Sequence, residues 1–140
     1  MFVGTYQHTV DDKGRLFIPA RFRGQENQRF FITRGLDKCL WVFLESEWEK
    51  MQMKLSGLNT MRADARAFNR LFFSGAAEAI SDKQGRINLP QNLIDYAGLA
   101  KEAVVIGVDE RFEIWDVETW RKYEQETTPR YEEMAEKLVE

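Results

Sequence analysis

Two stretches decide the fold: Asp11-Asp12-Lys13-Gly14-Arg15-Leu16-Phe17-Ile18-Pro19 and Asp82-Lys83-Gln84-Gly85-Arg86-Ile87-Asn88-Leu89-Pro90. Laid over one another at an offset of 71 residues, they match Asp, Gly, Arg and Pro by identity. Leu16, Ile18 and Phe22 fall on Ile87, Leu89 and Leu93, so apolar positions match as well. Past one inserted residue the match resumes at an offset of 72. Leu40, Val42, Phe43, Trp48 and Lys50 then fall on Phe112, Ile114, Trp115, Trp120 and Lys122. A period this long marks a duplicated structural unit rather than a local pattern.

Each copy carries the same plan. A β-prone segment (4–10, 76–80) enters a glycine-containing polar turn (11–14, 82–85), and a second strand returns (15–18, 86–89), which reads as a hairpin. The returning strands run into Pro19 and Pro90, residues suited to a helix start, so a short helix is expected after each. A second strand pair follows: 30–34 with 39–44, and 103–108 with 111–116. Each copy should thus hold about four strands. Helices are expected over 45–55, entered through Ser46 and acidic residues, and over 62–73, where Phe68 and Phe72 lie one turn apart. The segment from Glu118 to the C-terminus has partly helical spacing, interrupted at Thr127-Thr128-Pro129.

The expected division is a first module over 1–50, a helical linker over 51–74, a second module over 75–122 and an acidic helical tail over 123–140. A fragment of about 45 residues buries too little apolar surface to offset its ordering entropy, so the halves should pack together. The class is α+β.

Composition narrows the function. With 44% hydrophobic and 31% charged residues the chain has a globular balance, and no apolar run reaches the roughly 18 residues that a membrane span requires. A cytoplasmic location follows as an expectation. The formal charge of −3 taken as a sum disfavours a polyanion, but the charge is polarised along the chain. Residues 1–34 hold six basic side chains (Lys13, Arg15, Arg21, Arg23, Arg29, Arg34) against three acidic ones, whereas 108–140 hold five basic against eleven acidic.

The two Asp-x-x-x-Arg turns are the best candidates for chemistry. Gly14 and Gly85 permit the positive φ of a tight turn; Asp11 and Asp82 can accept turn amides and orient the arginine that follows. Arg15 and Arg86 are left at a strand edge, where a planar guanidinium can straddle a phosphate or donate two hydrogen bonds to guanine N7 and O6. Lys13, Lys83, Arg21 and Arg23 flank them as candidate backbone contacts. A single such turn is more often a hairpin closed by a weak surface ion pair. Two at matching positions suit a duplex with repeated sites.

Other features read as structural. Arg62, Arg66 and Arg70 suit a solvated helix face or a subunit contact. His8 is the chain's one histidine and has no partner for a metal site or triad; it reads as strand packing. Cys39, followed by Leu40-Trp41-Val42, reads as a buried inert thiol. The chain has no phosphate loop, zinc-protease helix or nucleophile elbow, so neither enzyme chemistry nor a metal or other cofactor is expected.

These turns, with Pro19, Phe22-Arg23, Asp64-Ala65-Arg66-Ala67-Phe68, Phe72-Phe73-Ser74-Gly75, Glu47-Trp48, Tyr96-Ala97-Gly98-Leu99 and Glu113-Ile114-Trp115, resemble the MraZ family of bacterial transcriptional regulators from Met1 to about Tyr123. The resemblance implies two tandem, pseudo-symmetric SpoVT/AbrB-like swapped-hairpin modules in one barrel-like body. It also implies a ring-shaped homo-oligomer, nucleoid association, and binding to direct repeats in promoter DNA upstream of the division and cell-wall gene cluster, usually as a repressor. The family's paired motif falls on Asp11 with Arg15 and on Asp82 with Arg86. Gln84 stands where the first copy has Lys13, and Asn88 stands at an apolar position. The second turn is therefore either a second DNA contact or a completion of the pseudo-symmetric body.

Two further readings belong to other classes. An antitoxin-like protein-interaction module would use the acidic tail with Tyr123, Tyr131 and Met134. A hydrolase built on Asp11 or Asp82 would need a base or metal that the sequence does not supply.

Overall fold

The computed structural model describes residues 1–139. In chain order the elements are β1 (Thr5–Thr9), β2 (Arg15–Phe17), α1 (Ala20–Arg23), β3 (Arg29–Arg34), β4 (Leu40–Leu44), α2 (Glu45–Ser56), α3 (Ala63–Ser74), β5 (Ala77–Ile80), β6 (Arg86–Asn88), α4 (Gln91–Ala97), β7 (Glu102–Val108), β8 (Arg111–Asp116), α5 (Val117–Thr127) and α6 (Tyr131–Leu138), with a 3-10 turn at Thr128–Arg130 between the last two. The four strands expected in each half are present, and the break at Pro129 is this change of helix type.

The strands are shared between halves. Six form one antiparallel sheet in the order β1-β7-β8-β4-β3-β5, and β2 with β6 forms a separate two-stranded ribbon. The central pair β4–β8 matches Leu40 with Ile114 and Val42 with Phe112; these are repeat equivalents, so a pseudo-two-fold axis passes between Trp41 and Glu113. In the ribbon, Arg15 pairs with Asn88 and Phe17 with Arg86, which places the same kind of axis between Leu16 and Ile87.

This pairing corrects the simple hairpin read from each polar turn. After turning, β2 keeps a single bridge to its own half, Val10 to Leu16, and gives its ladder to β6. Local alternation fixes which face of a strand is apolar but not which neighbour it joins. The barrel expectation is also corrected, because the six-stranded sheet does not close: β1 and β5 are its edges.

Burial explains why the exchange is favoured. Leu16 and Ile87, 0% and 1% exposed, point inward from the ribbon into a core that also contains Ile18, Phe22, Phe30, Ile32, Leu93, Val105, Phe112 and Ile114. Residues of both halves build that one core. Strict alternation then leaves Arg15, Phe17, Arg86 and Asn88 on the opposite face of the ribbon.

The helices follow the repeat. Trp48 of α2 stacks on Phe31 and Phe72, fixing α2 and α3 against the sheet, while its repeat equivalent Trp120 of α5 packs edge-on against Trp115. Helix α2 begins at Glu45 after Leu44, which offers no capping side chain; the expected entry through Ser46 is thus corrected, and acidic Glu45 and Glu47 occupy the first turn. Asp116 caps α5 by accepting from the amides of Glu118 and Thr119 at 3.2 and 3.3 Å. Cys39 is fully buried, as expected, and its Sγ donates to the Leu36 carbonyl at 3.1 Å. No helix among the described residues is long and apolar enough to cross a membrane.

Candidate nucleic-acid interface

The two polar turns have nearly superposable chemistry. Asp11 Oδ1 accepts from the amides of Lys13 and Arg15 at 3.0 and 2.9 Å, and its Oδ2 accepts from Arg15 Nε at 2.7 Å. Asp82 Oδ1 accepts from the amides of Gln84 and Arg86, both at 2.9 Å, and its Oδ2 from Arg86 Nε at 2.9 Å. The Gly14 and Gly85 amides return to the carbonyls of Asp11 and Asp82, both at 3.0 Å. Each aspartate thus shapes the turn with one oxygen and holds its arginine with the other. Hydrogen bonds to the ionised form, led by the arginine's own amide, keep both carboxyls below their ordinary range.

Gly14 and Gly85 adopt φ of +77° and +84°, as the turn chemistry requires. Their carbonyls then serve the other half: Leu89 N donates to Gly14 O at 2.8 Å, and Ile18 N to Gly85 O at 2.9 Å. The ribbon is clipped at both ends by these reciprocal bonds. Arg86 Nη1 also lies 3.8 Å from Asp11 Oδ2, so the ribbon brings both arginines to one carboxylate.

Each guanidinium commits its Nε to its own aspartate, and both side chains are about one-third exposed. Two arginines and two aspartates make the centre formally neutral, so it supplies oriented donors rather than net charge. Positive charge comes from the flanks. Lys13 and Lys83 are exposed at the turns, and Arg21 is exposed on α1.

Arg23 takes a place that linear reading missed. It follows the first turn in sequence but packs on the second: its guanidinium lies 4.8 Å from the Phe17 ring centroid, and a Cβ on Gly85 would collide with its Nη1. Arg23 Nε is buried without a hydrogen-bond partner among the described residues. Its repeat equivalent, Ile94 of α4, occupies the corresponding place at Gly14, where a Cβ would meet Ile94 Cδ1 at 3.1 Å. The exchange of strands carries each short helix onto the opposite turn.

Two open clefts result. One, of about 470 Å³, runs past Asp11, Asp12, Lys13 and Gly14 to Ile94 and Lys101. The other, of about 580 Å³, runs past Asp82 and Lys83 to Arg23, Glu26 and Asn27. The second turn, with Lys83 its one lysine as Lys13 is of the first, also receives Arg23 from the other half, a gain detectable only once strand pairing is known. The ribbon face itself was legible in principle, since Leu16 and Ile87 alternate with polar or aromatic neighbours.

The linker arginines separate from this surface, whereas His8 borders it through Phe17. Arg62 pairs with Asp64 at 3.0 Å before α3, Arg66 donates to the Thr60 carbonyl at 2.9 Å, and Arg70 is exposed on α3. His8 lies on β1 with its ring centroid 5.0 Å from that of Phe17, and burial lowers its pKa. No group of three or more His, Cys, Asp or Glu side chains among the described residues is arranged to hold a metal ion.

Comparison with known proteins agrees with the repeat. A family model described as "MraZ protein, putative antitoxin-like" matches residues 1–71 and again 72–139, meeting where the two copies meet. A curated relative from Moorella thermoacetica, "Transcriptional regulator MraZ", is 56% identical over 140 residues, covering 100% of this chain and 98% of the relative.

Proposed function

The chain belongs to the MraZ family, and from that premise we propose that it is a transcriptional regulator, not an enzyme, which binds double-stranded DNA through the β2–β6 ribbon and its two turns. The observation that carries this reading is the pair of like-oriented guanidiniums, each held by its own aspartate on one outward face. A two-stranded ribbon fits a major groove about 12 Å wide, and arginine is the usual reader of guanine O6 and N7 there. Lys13, Lys83, Arg21 and Arg23 grip the phosphates on either side and set the register.

The finer assignment is a repressor acting on spaced direct repeats upstream of division and cell-wall genes, working on the nucleoid as a ring of identical subunits. Many weak ribbon contacts on one duplex then act together by raising the effective concentration of each next contact. In this arrangement the acidic helices α5 and α6 are assigned no DNA contact. The modules at 1–50 and 75–122, joined by the helices of 51–74, are the two halves of one reading head.

The test is binding of the purified chain to a duplex with spaced direct repeats across a salt series, beside Arg15→Ala, Arg86→Ala and Lys13→Ala. Affinity falling steeply with salt, a loss of about tenfold or more in each arginine variant, and a shallower slope in Lys13→Ala support the reading. Binding absent or independent of salt contradicts it.

A second reading, a protein-interaction module, draws on Tyr131 and Leu138 of α6, 72% and 85% exposed. A partner retained after nuclease treatment, and lost when residues 123–140 are removed, would favour it.

A further inference from the structure

The ribbon is pseudo-symmetric in backbone but not in side chains. Its outward face pairs Arg15 with Asn88 at one end and Arg86 with Phe17 at the other. Asn88 and Phe17 are repeat equivalents, so the axis that exchanges the arginines exchanges an amide for a phenyl ring. The second difference reinforces the first: Arg23 lies against Phe17 and Gly85, whereas its equivalent Ile94 lies at Gly14. We infer that Asn88 and Phe17 are specificity-determining residues which give each subunit a direction on DNA, so that its two ends read different base pairs.

The inference rests on the DNA-binding reading above and deepens it. Directly opposed residues in an antiparallel pair stand about 4.5–5.5 Å apart. That spacing lets each arginine and its cross-strand neighbour address adjacent base pairs. A carboxamide pairs in bidentate fashion with adenine N6 and N7, whereas a phenyl ring has only apolar contact to offer, which suits the thymine methyl. The Arg15–Asn88 end therefore reads guanine beside adenine. The Arg86–Phe17 end reads guanine beside thymine and takes an extra phosphate contact from Arg23.

Orientation follows from this difference. A protein with a true two-fold axis reads a palindrome, because site symmetry mirrors protein symmetry. A subunit whose ends differ reads an element with a direction, and successive copies line up head to tail on direct repeats.

The test is selection of bound duplexes from a random library by the full-length chain, by Asn88→Ala and by Phe17→Asn, followed by sequencing. The chain itself should recover a non-palindromic element. Asn88→Ala should lose about tenfold of its preference for adenine beside one guanine, and Phe17→Asn should select adenine at both ends and so become more palindromic. Asn88 is exposed, so its substitution does not threaten folding. An unchanged element in Asn88→Ala, or a palindrome selected by the unaltered chain, overturns the inference while leaving DNA binding intact. No enrichment by any of the three proteins overturns DNA binding and this inference together.

Discussion

Replacing Leu16 by alanine tests whether the two halves are one folding unit. Leu16 is 0% exposed in the shared core and faces Ile87 across the ribbon. A buried leucine cut to alanine costs about 2–5 kcal/mol, from lost transfer energy plus the cavity left behind. Leu16 lies between strands of different halves and is clipped by the Ile18–Gly85 and Leu89–Gly14 bonds, so the site has little freedom to collapse, and about 3 kcal/mol is the expected loss. For a chain of this size each kcal/mol lowers Tm by about 2–4 °C, so a fall of about 6–12 °C is expected. The assay is thermal unfolding by circular dichroism with native-state hydrogen exchange. Because β1 pairs with β7 and β5 with β3, amides of β7 and β8 should lose protection together with those of β3 and β4. A loss below about 1 kcal/mol, or two separate transitions with the second half still protected, would refute the exchanged-strand account.

Three other outcomes are expected. Gly85→Ala forces a Cβ into a turn at φ +84° and onto the Arg23 guanidinium; it should destabilise by about 1–2 kcal/mol and make DNA binding less sensitive to salt, measured by melting and by a salt titration. The folded-state pKa values of Asp11 and Asp82 are depressed, so their stabilisation is present above the unfolded value and lost as pH falls through the folded one. Melting should thus show an acid limb below about pH 4 that flattens in the Asp11→Asn/Asp82→Asn double variant. Cys39 is fully buried with its thiol pKa pushed well up, chiefly by burial, so an aromatic disulfide reagent should label it only at the rate of unfolding.

Much of this architecture was legible in the repeat. The strand segments, the short helices after Pro19 and Pro90, and the turn chemistry of Asp11–Arg15 and Asp82–Arg86 all follow from local residue preferences. Both prolines sit one position before their helices, with φ near −51° and −60°. What local preference does not encode is partner choice. Leu16 would be equally apolar facing Val10 in a plain hairpin or Ile87 in an exchanged ribbon, and only the combined core of both halves selects the second. The placement of Arg23 was hidden for the same reason, because it depends on which turn α1 covers once β2 has crossed over. Barrel closure was expected from the family resemblance, yet β1 and β5 end as free edges.

Hydrogen exchange of the chain alone and with a duplex carrying spaced direct repeats shows whether the ribbon and its two turns are the surface that meets DNA. New protection should concentrate at residues 11–18 and 82–89 and at α1, with α5 and α6 unchanged. Protection confined to α5 and α6, or to the α2–α3 pair, would contradict it.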